Sequence, residues 1–374
     1  MRIVICCHTA GLAGAELAIA ESCRALQGQG HQVFVVVPQE GPFLSHVAPW
    51  ITGYQVIAQD HWTGTAELTA WQKVKFIRGF VRTALKIAAF VRAVRADVVI
   101  TNTSTIPAGA LGAALARVHH IWYVHEFVEE DHGLVWQYGQ TRSYALMNRL
   151  SHGLIVNSLA VRQKLEKFIP SSKLHLVYCA CEIDWHPIRP SELPGAPVLL
   201  MAGAISEGKN QALAVCALAE PLLYGLGTRL VCIGSGTPQM IDRLWSQATS
   251  LGVADRLEIY PHQANRRAVF AQGRILVVAS RAEAFGRVTV EAQKSGIPVL
   301  VADAGAAREV VTPQQTGLLF EAGNAQDLAA KAAQLLTNHQ DWAAICRAAQ
   351  EDAFNRFSLQ NHAQQLAAAL AAVQ

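Results

Sequence analysis

What most limits how this chain can fold is an alternation, run twice, of short apolar β-branched runs with helical stretches. Runs at 3–7, 32–37, 97–101, 120–124, 153–157 and 174–178 form a first set; 198–203, 229–234, 257–260, 274–279 and 298–302 form a second. Continuous apolar runs of this length suit strands buried on both faces, and helices between successive strands are the connections of parallel sheets. Two such sets predict an α/β chain of two doubly wound, Rossmann-like parallel-sheet domains. With 374 residues, 51% of them hydrophobic, the chain is long enough for two substantial cores. Pro187, Pro190, Pro194 and Pro197 crowd one short span, where neither strand nor helix continues easily. The expected division is therefore an N-terminal domain over 1–187, a proline-rich linker over 188–197, a C-terminal domain over 198–357 and a last helix over 358–374.

The formal charge of +3 is too small for a global field that recruits nucleic acid. The eight cysteines are scattered, several inside apolar runs where a thiol behaves as a small core residue. Cys179 and Cys181 have no second matching pair that would make a zinc site. The apolar start at 1–7 is too short for a signal-peptide core, and no run of about 18 apolar residues suggests a membrane span. A cytoplasmic location with reduced thiols is the expectation.

The chemistry concentrates at 283–291, where Glu283 and Glu291 bracket a Phe285-Gly286 step. The run 274–280 reads as a buried strand, and a helical pattern begins at Val288 and stops at Gly296-Ile297-Pro298. Glu283 then lies in a strand-to-helix loop and Glu291 about one turn inside the helix. Ligands of open α/β sheets collect beyond the carboxyl ends of the strands, and the free N–H groups of a helix start favour phosphate. Gly286 allows close approach of a diphosphate to the backbone. An ionised Glu291 can accept from two vicinal ribose hydroxyls, and Glu283 from hydroxyls of a sugar.

The segment SRAEAFGRVTVEAQKSGIPV at 280–299, followed by Glu309-Val310-Val311 and Thr316-Gly317-Leu318-Leu319, resembles the core of the retaining glycosyltransferases of family 4, also called group 1. Gly11-Leu12-Ala13-Gly14-Ala15-Glu16 and Gly30-His31-Gln32-Val33 are similar to the family's N-terminal start. The resemblance implies the GT-B fold, two Rossmann-like domains facing across a cleft. It also implies transfer of a sugar from a UDP- or GDP-sugar to an acceptor hydroxyl of a carbohydrate or lipid-linked molecule. The N-terminal domain would bind the acceptor, and the last helix would cross back to it. The implied setting is bacterial cell-surface polysaccharide or lipopolysaccharide synthesis, without cofactor or metal; nothing resembles an Asp-x-Asp metal clamp.

Carried onto this chain, the catalytic group is His125, Glu283 and Lys209. The donor-binding group is Gly14, Gly203, Lys209, Gly234, Glu283, Ala284, Phe285, Gly286, Arg287, Val288 and Glu291, with His8 a further candidate at the end of the first strand. One departure is Ala204, which stands where the family carries an arginine for the diphosphate. Losing such a charge-assisted contact costs about 1.5 to 3 kcal/mol unless Arg281 or Arg287 compensates. Two other readings remain open, a sugar-nucleotide epimerase of the same fold and a non-catalytic nucleotide-sugar-binding subunit.

From 68 to 96 the chain has no acid, yet it carries Lys73, Lys75, Arg78, Arg82, Lys86, Arg92 and Arg95. Lys75, Arg78, Arg82 and Lys86 share one face of a helix, with Val74, Ile77, Val81 and Leu85 on another. Such a helix suits peripheral contact with an anionic membrane through 71–95, with Trp71, Phe76 and Phe80 entering the interface on the inner face of the cytoplasmic membrane.

Overall fold

Both apolar sets become parallel sheets. The computed structural model describes every residue except Pro190, Ser191, Pro194 and Gln374, and within the helix His339–Arg356 it leaves out the side chains of 339–341. Three residues of the proline-rich stretch and the last residue of 358–374 thus lie outside the described residues. Contacts divide the chain into one unit of Met1–Cys181 with Ser358–Gln374 and a second of Glu182–Phe357. The second unit begins at Glu182, ahead of the proline-rich stretch.

The first unit contains β1 (Arg2–Cys6), β2 (Gln32–Val37), β3 (Gly53–Val56), β4 (Thr63–Gly64), β5 (Val98–Asn102), β6 (His119–Val124), β7 (Val135–Trp136), β8 (Gly153–Val156) and β9 (Leu174–Leu176). Seven of these form a sheet ordered β3-β2-β1-β5-β6-β8-β9, parallel at every pairing, while β4 and β7 make a small antiparallel ribbon. The inner strands are apolar on both faces because helices cover both: Ile3, Ile5, Val35 and Ile121 pack one cluster, Val4, Val36 and Val99 the other. The helix Leu359–Ala371 belongs to this unit; its Leu366 and Leu370 join the first cluster, and His362 bonds Ser22 Oγ at 2.9 Å and the Tyr178 carbonyl at 2.7 Å.

In the second unit β10 (Val198–Ala202), β11 (Arg229–Ile233), β12 (Leu257–Tyr260), β13 (Ile275–Val278), β14 (Val299–Ala302) and β15 (Leu318–Phe320) form a parallel sheet ordered β12-β11-β10-β13-β14-β15. In both units the chain winds outward from a central strand, returns, and winds the other way. The order reverses beside β1 and β5 in one sheet and beside β10 and β13 in the other, and the crevice beyond the strands at such a reversal is where this architecture binds ligands. Two sheet strands are absent from the sequence reading. β3 is a four-residue edge strand exposed over most of its length, and β15 is a three-residue edge strand that reads as a turn.

Histidine burial gives the first sheet a pH-dependent stability. His120 lies fully inside, between Thr101 Oγ1 at 2.8 Å and Ser151 Oγ at 3.1 Å. Burial first, then His152, lowers its pKa to about 3. The unfolded chain therefore binds more protons than the folded one below the ordinary value of 6.5, and this contribution to stability is lost as pH falls from there toward 3. Acidification to about pH 5 is expected to cost about 2 kcal/mol at this site. Calorimetric melting across that range should show the loss, and His120→Gln should remove this site's share of it, leaving the share of other histidines lowered by burial, such as His8.

Candidate donor site and the family it defines

Side chains at the carboxyl ends of β10 and β13 converge in the second unit. Lys209, in the loop after β10, places Nζ 2.9 and 3.1 Å from the two oxygens of Glu283, in the loop after β13. Ser280 donates its hydroxyl to the same carboxylate at 2.7 Å. The two loops are also joined through the backbone, where Arg281 N donates to the Gly208 carbonyl at 2.9 Å. Glu283 is thereby held in one orientation while Lys209 keeps about a third of its side chain exposed.

Helix Arg287–Lys294 starts beside this pair. Gly286 caps it at φ 95, a left-handed conformation that a residue with a Cβ adopts only under strain. The first N–H groups of the helix therefore emerge close to Glu283. Ala284 and Phe285 face inward, and the Phe285 ring packs edge-on against Phe357 at 5.5 Å. What this pair can offer a ligand is its backbone. Val288 is half-buried.

Glu291, one turn further on, is only 4% exposed. Its carboxylate is paired with Arg266 and lies 3.3 Å from Arg287. Arg266 begins the short helix Arg266–Phe270 after β12, and no periodicity in the sequence marks it. It is a cation that the sequence reading missed. Of the two arginines considered as replacements at Ala204, Arg287 is engaged with Glu291 and Arg281 is exposed. Ala204 and Gly203 are themselves exposed, and the Ala204 carbonyl accepts from the buried Gln211 at 2.9 Å. Gly234 lies where an added Cβ would come within 1.8 Å of the Gly203 carbonyl oxygen, so the loops after β10 and β11 touch through bare backbone.

In the first unit the polar groups lie at the ends of β1, β5, β6 and β8. Gly14 is exposed at the start of helix Gly14–Gly28, where Glu16 accepts from Ala13 N at 3.2 Å. His8 Nδ1 is 3.3 Å from Glu16, and burial, with smaller effects of His61 and His132, lowers its pKa to about 4, so the ring is neutral at pH 7. His125 Nε2 is 2.7 Å from Asn102 Oδ1, and Asn157 donates to the His125 carbonyl at 3.2 Å. Asn102 and Asn157 each bury one side-chain polar atom that has no hydrogen-bond partner. Buried groups of this kind normally have a partner, and a ligand hydroxyl would supply one.

Glu126 opens an acidic run with Glu129, Glu130 and Asp131, yet it is not solvated. It is buried and accepts from Ser104 N and Ser104 Oγ, each at 2.6 Å, and from His125 N at 3.1 Å. Burial raises its pKa, opposed by the Ser104 bonds. The carboxylate ties the loop after β5 to the loop after β6. Thr103 at φ 79 and Val128 at φ 76 flank this knot, and such strained non-glycine residues concentrate at working sites. Among the described residues no three His, Cys, Asp or Glu side chains cluster as a metal site, and no helix is long and apolar enough to cross a membrane.

Two family models match almost end to end: Glycosyltransferase Family 4 over residues 12–185 and Glycosyl transferases group 1 over 187–352. The chain belongs to the family 4, or group 1, glycosyltransferases. Its curated relatives include a D-inositol 3-phosphate glycosyltransferase of Segniliparus rotundus, 31% identical over 41% of this chain and 35% of that protein. A protein of the same name from Nocardia farcinica is 35% identical over 36% of this chain and 32% of its own length. These matches span about a third of the relatives. HepE of Anabaena, solved in complex with UDP, superposes with a TM-score of 0.81 at 22% identity, covering 99% of this chain and 100% of that one. With the two parallel sheets, that likeness establishes the GT-B fold.

Proposed function

We propose that this chain transfers a sugar from a nucleoside diphosphate sugar to an acceptor hydroxyl with retention of anomeric configuration and without a metal. The observation that carries the reading is the Lys209–Glu283 pair at the strand-order reversal of the second sheet, beside a helix that starts at a left-handed glycine. A diphosphate leaving group gains charge in the transition state, and Lys209 with the amides after Gly286 is equipped to meet it. Glu291 would hold the ribose, exchanging its arginine partners for hydroxyls. Glu283 and His125 would position the sugar. The acceptor attacks from the face the diphosphate leaves, and a phosphate oxygen takes its proton. UDP is favoured over GDP as carrier because HepE was solved with UDP and with UDP-glucose. A polyhydroxylated acceptor in a cell-surface polysaccharide or lipopolysaccharide pathway is the setting we favour. Family membership and the D-inositol 3-phosphate activity in the relatives' name support the carbohydrate-like acceptor.

Ala204 favours one competing reading, a nucleotide-sugar binder that does not turn over. Thermal melting with UDP, GDP and ADP separates the cases. A nucleotide at about 100 times its Kd adds about 2.7 kcal/mol, which raises the melting point by several degrees. Selective stabilisation by UDP that weakens in Glu291→Ala is the expected result. No shift with any nucleotide removes the donor reading; a shift with no transfer to any acceptor hydroxyl selects the non-catalytic one.

A further inference from the structure

The helix Ala70–Ala93 has two apolar faces, although a helix packed on one domain needs a single one. Thr83, Ala84, Ile87, Ala88 and Val91 are buried against the unit. Trp71, Val74, Ile77, Val81 and Leu85 form the other face, at spacings of three and four residues, and each is between 41% and 72% exposed. Next to this stripe run Lys75, Arg78, Arg82 and Lys86, all exposed. Among the described residues no ion pair engages any of the four. Lys75 Nζ lies over the Trp71 ring at 5.9 Å, joining the basic and apolar rows.

We infer that this helix docks on an anionic lipid bilayer, with the exposed apolar stripe entering the interfacial layer and the four cations meeting the headgroups. This corrects the sequence reading of which aromatics insert. Phe76 and Phe80 are half-buried and stack on one another at 6.2 Å, and Phe76 also packs on Tyr138 at 5.6 Å. They brace the helix, and the membrane-facing row is Trp71 with the aliphatic residues.

The occupant follows from charge. A solvated face gains nothing from five exposed apolar side chains in line. A second copy in a symmetric pair would set this acid-free basic segment against itself, where like charges repel. An anionic surface meets both rows at once, since apolar insertion and headgroup attraction act together in interfacial helices. This helix belongs to the first unit and the Lys209–Glu283 pair to the second, so bilayer docking does not rest on the donor assignment.

Flotation of the full chain with vesicles of phosphatidylglycerol and phosphatidylcholine, against phosphatidylcholine alone, tests it. Binding to the anionic vesicles, reversed by salt, is expected. The triple variant Lys75→Gln, Arg78→Gln, Arg82→Gln should lower partitioning ~100-fold. The pair Ile77→Ser, Leu85→Ser should lower it ~10-fold or more and leave the salt dependence in place. Melting points and UDP-induced shifts are measured on the same variants, so a misfolded protein or a failed donor site is recognised separately. Equal binding to neutral vesicles, or variants that float like the parent, would overturn the inference. A concentration-dependent dimer abolished by Ile77→Ser would replace the bilayer with a second copy.

Discussion

Glu283→Ala is expected to lower kcat for sugar transfer by about 10²- to 10³-fold, the usual effect of removing one preorganised polar group from a transition-state site. The side chain is placed for such a role, since one carboxylate is oriented by Lys209 from a different loop and by Ser280 from its own. Removing it frees Lys209 to move and takes away the acceptor for hydroxyls of the transferred sugar. UDP affinity should change little, because the nucleoside is assigned to Glu291. Stability should also change little. The pair is about one-third exposed on the lysine side, and partly solvated ion pairs contribute up to about 1 kcal/mol. The readouts are a UDP-release assay, a UDP melting shift and a melting curve without ligand. Loss of turnover with the shift retained supports the assignment; unchanged turnover removes Glu283 from the chemistry.

Much of the architecture was legible because buried parallel strands are written as continuous apolar runs. Arg2–Cys6, Gln32–Val37 and Arg229–Ile233 lie where β-branched runs placed them. β3 escaped because an edge strand that buries little leaves no apolar run, and β15, though buried, because three apolar residues directly after Thr316-Gly317 are too short to stand apart from a turn. The site was legible one loop at a time. Nothing in the local pattern says that Lys209 and Glu283, 74 positions apart, form an ion pair. Arg266 was invisible for the same reason, since its meaning lies in proximity to Glu291 from another strand connection. The burial of Glu126 is equally invisible locally, since an acid followed by Glu129, Glu130 and Asp131 looks solvated, whereas Ser104 from the neighbouring strand end supplies the donors that let it be buried. The helix Ala70–Ala93 shows the converse. Amphipathic spacing identified the helix and its basic row, but two apolar stripes on one helix cannot be ranked as inner and outer without knowing what packs against them.

Gly305→Ala is expected to impair transfer about 100-fold, although this residue has no side chain to offer a substrate; misplacing a reacting group by about 1 Å typically costs that much. Gly305 follows β14 at φ 58, and a Cβ there would lie 2.3 Å from the Glu283 carbonyl oxygen and 2.7 Å from the Glu283 nitrogen. The next residue, Ala306, donates its N–H to that same carbonyl at 2.8 Å. The glycine is thus the floor on which the Glu283 backbone rests, and a methyl group there displaces the loop and with it the carboxylate. A left-handed conformation forced on alanine also costs about 1–2 kcal/mol whatever the surroundings. Gly323→Ala separates the two effects. Gly323 is at φ 82 with no heavy atom within 4 Å of an added Cβ, so it carries the conformational cost without the collision. Gly323→Ala should lower the melting point slightly and keep full turnover. Gly305→Ala should lower the melting point further and lose turnover, while Glu291 still supports a UDP shift. If both variants retain activity, the position of the Glu283 backbone does not limit transfer, and the role assigned to its carboxylate falls with it.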